Sequence, residues 1–158
     1  MNESAARHAD AVAGTDETFM RLALAAARRA ALAGEPPIGA CLVRDGTVVA
    51  TAGNAVISEL DITAHAEIML IRDACRRGRT LELAGCTLYT TVEPCAMCRA
   101  ASHYARIDEI VYAASLADMQ ALTGAELGAG APGPRMRAGC LRDESLALLR
   151  AWAGPRNP

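Results

Sequence analysis

Two short stretches hold residue types suited to metal chemistry: Thr63-Ala64-His65-Ala66-Glu67 and Glu93-Pro94-Cys95-Ala96-Met97-Cys98. A Cys-x-x-Cys pair on a first helical turn can grip one ion. The free N–H groups and positive end of that helix favour the two thiolates. His65 supplies a third ligand. Three protein ligands leave the fourth tetrahedral position of zinc open, the arrangement of catalytic rather than structural zinc. Zinc so held makes water acidic enough to provide hydroxide near neutral pH. Glu67, just after the histidine, can lie beside the ion without ligating it. From there it can pass a proton from that water to a leaving group.

The elements that must position these groups are legible from periodicity and turn residues. Residues 1–14 are polar, small and aperiodic and read as a tail. A helix begins at Thr15 or Asp16, with Phe19, Leu22, Ala23, Ala26 and Ala30 at helical spacing, and ends near Gly34 before Pro36 and Pro37. Residues 38–43 and 47–52 flank Asp45-Gly46 as a hairpin. A helix over residues 64–77 is stopped by Gly78, and residues 86–92 form a buried strand. Pro94 sits in the first turn of a helix reaching residue 105, and residues 107–113 form a further strand. A short helix over 118–122, a Gly-, Ala- and Pro-rich loop over 124–134, a strand over 136–140 and a helix over 143–152 complete the pattern. Strands alternating with helices predict an α/β domain over residues 15–154 with helices on both faces of the sheet. Helices that follow parallel strands start at one sheet edge, where such folds bind ligands. That edge can bring His65 to the cysteines.

Other readings of the same residues remain open at this level. The cysteine pair also fits a thioredoxin-like redox site. A structural zinc needs a fourth ligand, for which Cys41, Cys75, Cys86 and Cys140 are available; Cys41 and Cys86 fall in apolar strand patterns and read as packing residues. A zinc-stabilised binding module would hold the ion and turn nothing over. His65 and Glu67 together at a second helix start favour the catalytic metal.

Composition limits the partners. The chain has 158 residues, 52% hydrophobic but only 3% aromatic, so one Ala-, Leu-, Val- and Ile-rich core is expected. All 16 basic residues are arginine, and the net charge is −2, so no overall basic excess marks a nucleic-acid partner. Arg28, Arg29, Arg72, Arg76, Arg77 and Arg79 read as solvated helix faces. No apolar run is long enough to span a bilayer and no leader pattern opens the chain, which predicts a cytoplasmic protein with reduced thiols and no membrane partner.

His-x-Glu followed by Pro-Cys-x-x-Cys resembles the signature of the cytidine-deaminase superfamily. The likeness is greatest to the branch holding bacterial guanine deaminases and tRNA adenosine deaminases. It is carried by Pro37-Ile38-Gly39-Ala40, by Asn54, and by residues 63–68 and 87–98. Ile62 stands where that branch carries proline, and Ala125 where guanine deaminases carry phenylalanine. The resemblance implies a three-layer α-β-α sandwich with a central mixed five-stranded sheet, and a homodimer. It implies Zn2+ on His65, Cys95 and Cys98, Glu67 as catalytic proton carrier, and Asn54 bonded to the substrate ring. Ala66, Tyr104, Asp118 and Glu126 are further candidate substrate contacts: Tyr104 as a flat wall, Asp118 or Glu126 as acceptor for a ring N–H and an amino group. Glu93 is expected to support the turn before Pro94. The activity implied is hydrolytic loss of ammonia from an aminated ring. A free purine base or nucleoside, guanine first, is the expected substrate, on the slight negative charge, His103-Tyr104-Ala105-Arg106 and the acidic stretch 115–127. Adenosine in tRNA is the alternative, on residues 63–69 and Gly139-Cys140-Leu141, followed by cytosine or an aminotriazine.

Overall fold

The computed structural model of the chain describes residues 14–124 and 141–142. The expected tail over residues 1–14 (all but Gly14), strand over 136–140 and helix over 143–152 lie outside these residues, as do Glu126 and Cys140. The described elements are α1 (Asp16–Leu32), β1 (Gly39–Arg44), β2 (Thr47–Gly53), α2 (Ala66–Gly78), β3 (Cys86–Val92), α3 (Ala96–Tyr104), β4 (Glu109–Ala114) and α4 (Leu116–Thr123). The strands form one mixed sheet in the order β2-β1-β3-β4. β1 is antiparallel to both β2 and β3, and β3 is parallel to β4. Four strands are therefore described where five were expected; the stretch expected to supply the fifth, residues 136–140, lies outside the described residues. No described helix is long and apolar enough to cross a membrane.

Local chemistry explains the boundaries. α1 closes with paired bonds, Glu35 N–H to the Ala30 carbonyl and Gly34 N–H to that of Ala31, around a left-handed Gly34 at φ 84°. Asp45 and Gly46, at φ 50° and 74°, make the two-residue hairpin turn. Two expected boundaries move. Gly78 is the last residue of α2, and the left-handed position falls on Arg79 at φ 50°. Pro94 precedes α3 instead of entering it, because Cys95 remains extended (φ −65°, ψ 170°) as the N-cap.

Alternation along the central strands divides the core. Cys41, Val43 and Tyr89 pack with Phe19 and Ala23 of α1 on one face. Ala40, Leu42, Cys86 and Leu88 pack with Ala66, Leu70 and Ala74 of α2 on the other. Cys41 and Cys86 are thus packing residues, both fully buried. Small residues let α1 lie close to the sheet: a Cβ on Gly39 would land on the Ala23 carbonyl oxygen and the Ala27 amide nitrogen. Neither backbone atom can yield without moving the helix. Gly39→Ala is expected to cost about 1–3 kcal/mol, read as a lower urea midpoint at unchanged slope.

The single phenylalanine, Phe19, meets the Tyr89 ring at 5.3 Å between centroids, and the Tyr89 hydroxyl donates to Asp16 Oδ1 at 2.8 Å. Burial, with the Asp16 carboxylate, pushes the Tyr89 phenol up to about 12. A phenol raised in the folded state favours folding below its unfolded value and loses that contribution as pH climbs through the folded one. The wild-type chain is therefore expected to lose stability from about pH 10 upward, and Tyr89→Phe to lose less over the same interval. Chemical unfolding at stepped alkaline pH checks this.

Candidate metal centre

β2, β3 and β4 point the same way, so α2 and α3 begin at one edge of the sheet. His65 is the N-cap of α2 and Cys95 the N-cap of α3. An N-cap side chain ordinarily folds back onto the first free N–H groups. Neither does so here; instead they turn toward each other. His65 Nδ1 lies 3.7 Å from Cys95 Sγ and 3.6 Å from Cys98 Sγ. All three donor atoms fall within 4.8 Å of one another. Two donors on one tetrahedral zinc, sulfur at about 2.3 Å and nitrogen at about 2.0 Å, are separated by about 3.5 Å. The spacing and the two-sulfur, one-nitrogen donor set fit that ion. Among the described residues no fourth His, Cys, Asp or Glu joins the group. Cys75 lies half-buried on α2, apart from it.

The electrostatics suit a cation. The Cys98 thiol donates to the Cys95 sulfur, and this contact together with His65 holds Cys95 far below the usual thiol range, at about 3. The same contact and its burial push Cys98 up. His65 is raised, chiefly by the neighbouring Cys95. A bound cation holds both sulfurs as thiolates and the imidazole as neutral ligand. Glu67, one turn-position inside α2, is only 3% exposed. Burial pushes its carboxyl up, toward the range in which it can both take and give a proton.

The approach to the cluster is a narrow cleft lined by His65, Glu67 and Cys95, with Ile38, Val92, Glu93 and Leu116 as the remaining wall. The segment leading to His65 is tied down by two carboxylates. Glu35 accepts from the N–H groups of Ile57 (2.9 Å) and Ser58 (2.7 Å). Burial opposes its ionisation, but these bonds prevail and hold it below the usual carboxylate range. Asp61 accepts from the Thr63 hydroxyl at 2.7 Å and the Thr63 N–H at 2.8 Å. With Ile62 exposed in place of a proline, this Asx-type turn sets the chain direction before the helix.

The proposed substrate contacts are placed unevenly. Asn54 is buried near the end of β2, its Oδ1 accepting from Val56 N–H at 3.1 Å. The Ala66 methyl is fully buried in the α2-side core. Tyr104 is not brought to the cleft. It ends α3, nine residues and so about 13 Å along the axis from Cys95, is 83% exposed, and packs edge-on against His103. Asp118 is also absent from the cleft: it closes a capping box with Ser115, accepting from its N–H at 2.8 Å and its hydroxyl at 2.7 Å. Those bonds keep Asp118 below the ordinary carboxylate range. Sequence reasoning missed Glu35 and Leu116. For Glu35 a signal was present, an acidic residue beside two prolines in an otherwise apolar stretch; Leu116 carried none.

Residues 13–114 match the family described as the cytidine and deoxycytidylate deaminase zinc-binding region. The chain belongs to that family. The deaminase relatives it resembles include the tRNA-specific adenosine deaminase of Agrobacterium fabrum, 51% identical over 96 residues, which cover 61% of this chain and 63% of that protein. The guanine deaminase of Bacillus subtilis is 42% identical over 103 residues, covering 65% of this chain and 66% of that one. The matched stretch thus spans just under two thirds of these relatives. The X-ray structure of the Bacillus subtilis guanine deaminase superposes with a TM-score of 0.78 at 32% identity, covering 92% of this chain and 98% of that one. The deaminase-family zinc region and the geometry of His65, Cys95 and Cys98 agree on the metal.

Proposed function

We propose that this chain is a zinc-dependent hydrolytic deaminase of an aminated purine, with free guanine as its substrate. The observation that carries the hydrolytic reading is the buried Glu67 beside a three-donor cluster that no fourth described side chain completes. When bound, zinc supplies the Lewis acidity that makes hydroxide available at neutral pH. Glu67 takes the proton released from water, gives it to the ring nitrogen, and carries another to the departing amine, so water and C–NH2 become C=O and ammonia. Ile38, Val92 and Leu116 provide apolar contact for a flat ring and keep bulk water out. Asn54, with its oxygen already engaged by Val56, would present its amide N–H2 to the ring.

Two observations support a small purine. The described cleft lining has two glutamates and no arginine, a poor match to a phosphate backbone. The likeness to guanine deaminase extends over 92% of this chain. A second reading, adenosine in a tRNA anticodon loop, is favoured by the 51% identity to a tRNA-specific adenosine deaminase. The proposal includes a cytoplasmic homodimer. Ammonia release from guanine, adenine, cytosine, their nucleosides and an anticodon stem-loop, offered to the zinc-loaded protein, tests it. Turnover of guanine supports the first reading; turnover of the RNA alone overturns it in favour of the second.

A further inference from the structure

We propose that Glu93 is a positioning residue: it clasps α4 to the end of the sheet, and so fixes the outer wall of the cleft and the affinity for the ring. The part concerning affinity rests on the deaminase reading above. Glu93 holds the β4–α4 junction twice. Its N–H donates to the Ala114 carbonyl at 2.7 Å, continuing the ladder one residue past the end of β3 onto the last residue of β4. Its carboxylate Oε2 accepts from Leu116 N–H at 3.0 Å. Leu116 opens α4, where its N–H has no partner within the helix.

α4 has no buried residue. Leu122 is 86% exposed. The capping box of Ser115 and Asp118 orders the first turn internally and makes no bond to the sheet. Yet Leu116 lines the same cleft as His65 and Glu67. The position of that wall is therefore set from the strand that leads into Pro94-Cys95. The Glu93 side chain thus couples the turn before Cys95 to the helix that carries Leu116.

The clasp needs an acceptor oxygen and no charge, which gives a discriminating pair of variants. Glu93→Ala removes the acceptor; Glu93→Gln keeps one. In Glu93→Ala, KM for guanine is expected to rise roughly tenfold, the loss of one hydrogen bond, with a smaller change in kcat. Zinc content is expected to remain stoichiometric. Amide hydrogen exchange over residues 116–123 is expected to accelerate in Glu93→Ala and to stay near wild type in Glu93→Gln, whose KM also stays near wild type. Unchanged exchange and KM in Glu93→Ala would overturn the clasp. A Glu93→Gln variant as impaired in KM as Glu93→Ala, with exchange unaltered, would overturn it too, by making Glu93 a charged substrate contact. Wild-type protein silent on every aminated ring, with the exchange pattern as expected, would sink the deaminase reading and the affinity claim while leaving the clasp supported.

Discussion

Glu67→Gln is expected to lower kcat for ammonia release by roughly 10³-fold, the range of a lost general acid–base, while zinc stays bound. The side chain is 3% exposed, so the substitution changes protonation chemistry with little change in shape. Glutamine cannot shuttle a proton, and it is not a member of the donor cluster. Burial already disfavours the ionised carboxylate, so a neutral amide at this position is not expected to lower the melting temperature. Metal analysis, melting and turnover on the same preparation check the three parts. A binding module without catalysis has no turnover to lose, and a redox protein would show neither the metal nor the ammonia. A variant that loses zinc along with activity would place Glu67 among the ligands and remove the open position on which hydrolysis depends.

Removal of the metal has the second large effect. Cys98 is fully buried at the start of α3, and its sulfur lies 3.6 Å from His65 Nδ1. Serine there keeps the size and loses the soft donor. Cys98→Ser is expected to lack stoichiometric zinc, to have no detectable turnover, and to melt roughly 10 °C lower, the stabilisation lost when a ligand present at about a thousand times its Kd no longer binds. Chelation of the wild-type protein is expected to give the same melting temperature, and zinc addition to restore the wild-type protein alone. The reason the effect reaches the fold is topological. The donors tie the starts of α2 and α3 together across the sheet edge, and α2 and α3 otherwise meet over few residues. Proton release on zinc uptake follows from the cysteine pair, since the proton held on Cys98 must leave before its sulfur can ligate.

The deaminase family shares one metal-binding region, and in this chain its residues are held in place by parts that differ in reach. Glu35 and Asp61 fix the approach to His65, while Glu93 bonds the first N–H of α4. Each uses a carboxylate to satisfy backbone N–H groups that no regular ladder would reach.

What the sequence determined by itself is whatever short range decides. Donor type and spacing named His65, Cys95, Cys98 and Glu67, because both motifs fit within a helical turn. Period and turn chemistry placed the hairpin at Asp45-Gly46 and the order of the described elements, because these depend on neighbours along the chain. What only the tertiary structure decided is which distant groups share an edge. Tyr104 has a ring suited to a purine, but α3 runs away from the metal and leaves it 83% exposed. Asp118 has the charge to hold an amino group, but Ser115 three positions earlier claims it as a cap. Glu93 and Leu116 lie 23 positions apart and meet because β3 and β4 end side by side. Strand order and direction set such meetings, and no local pattern encodes them.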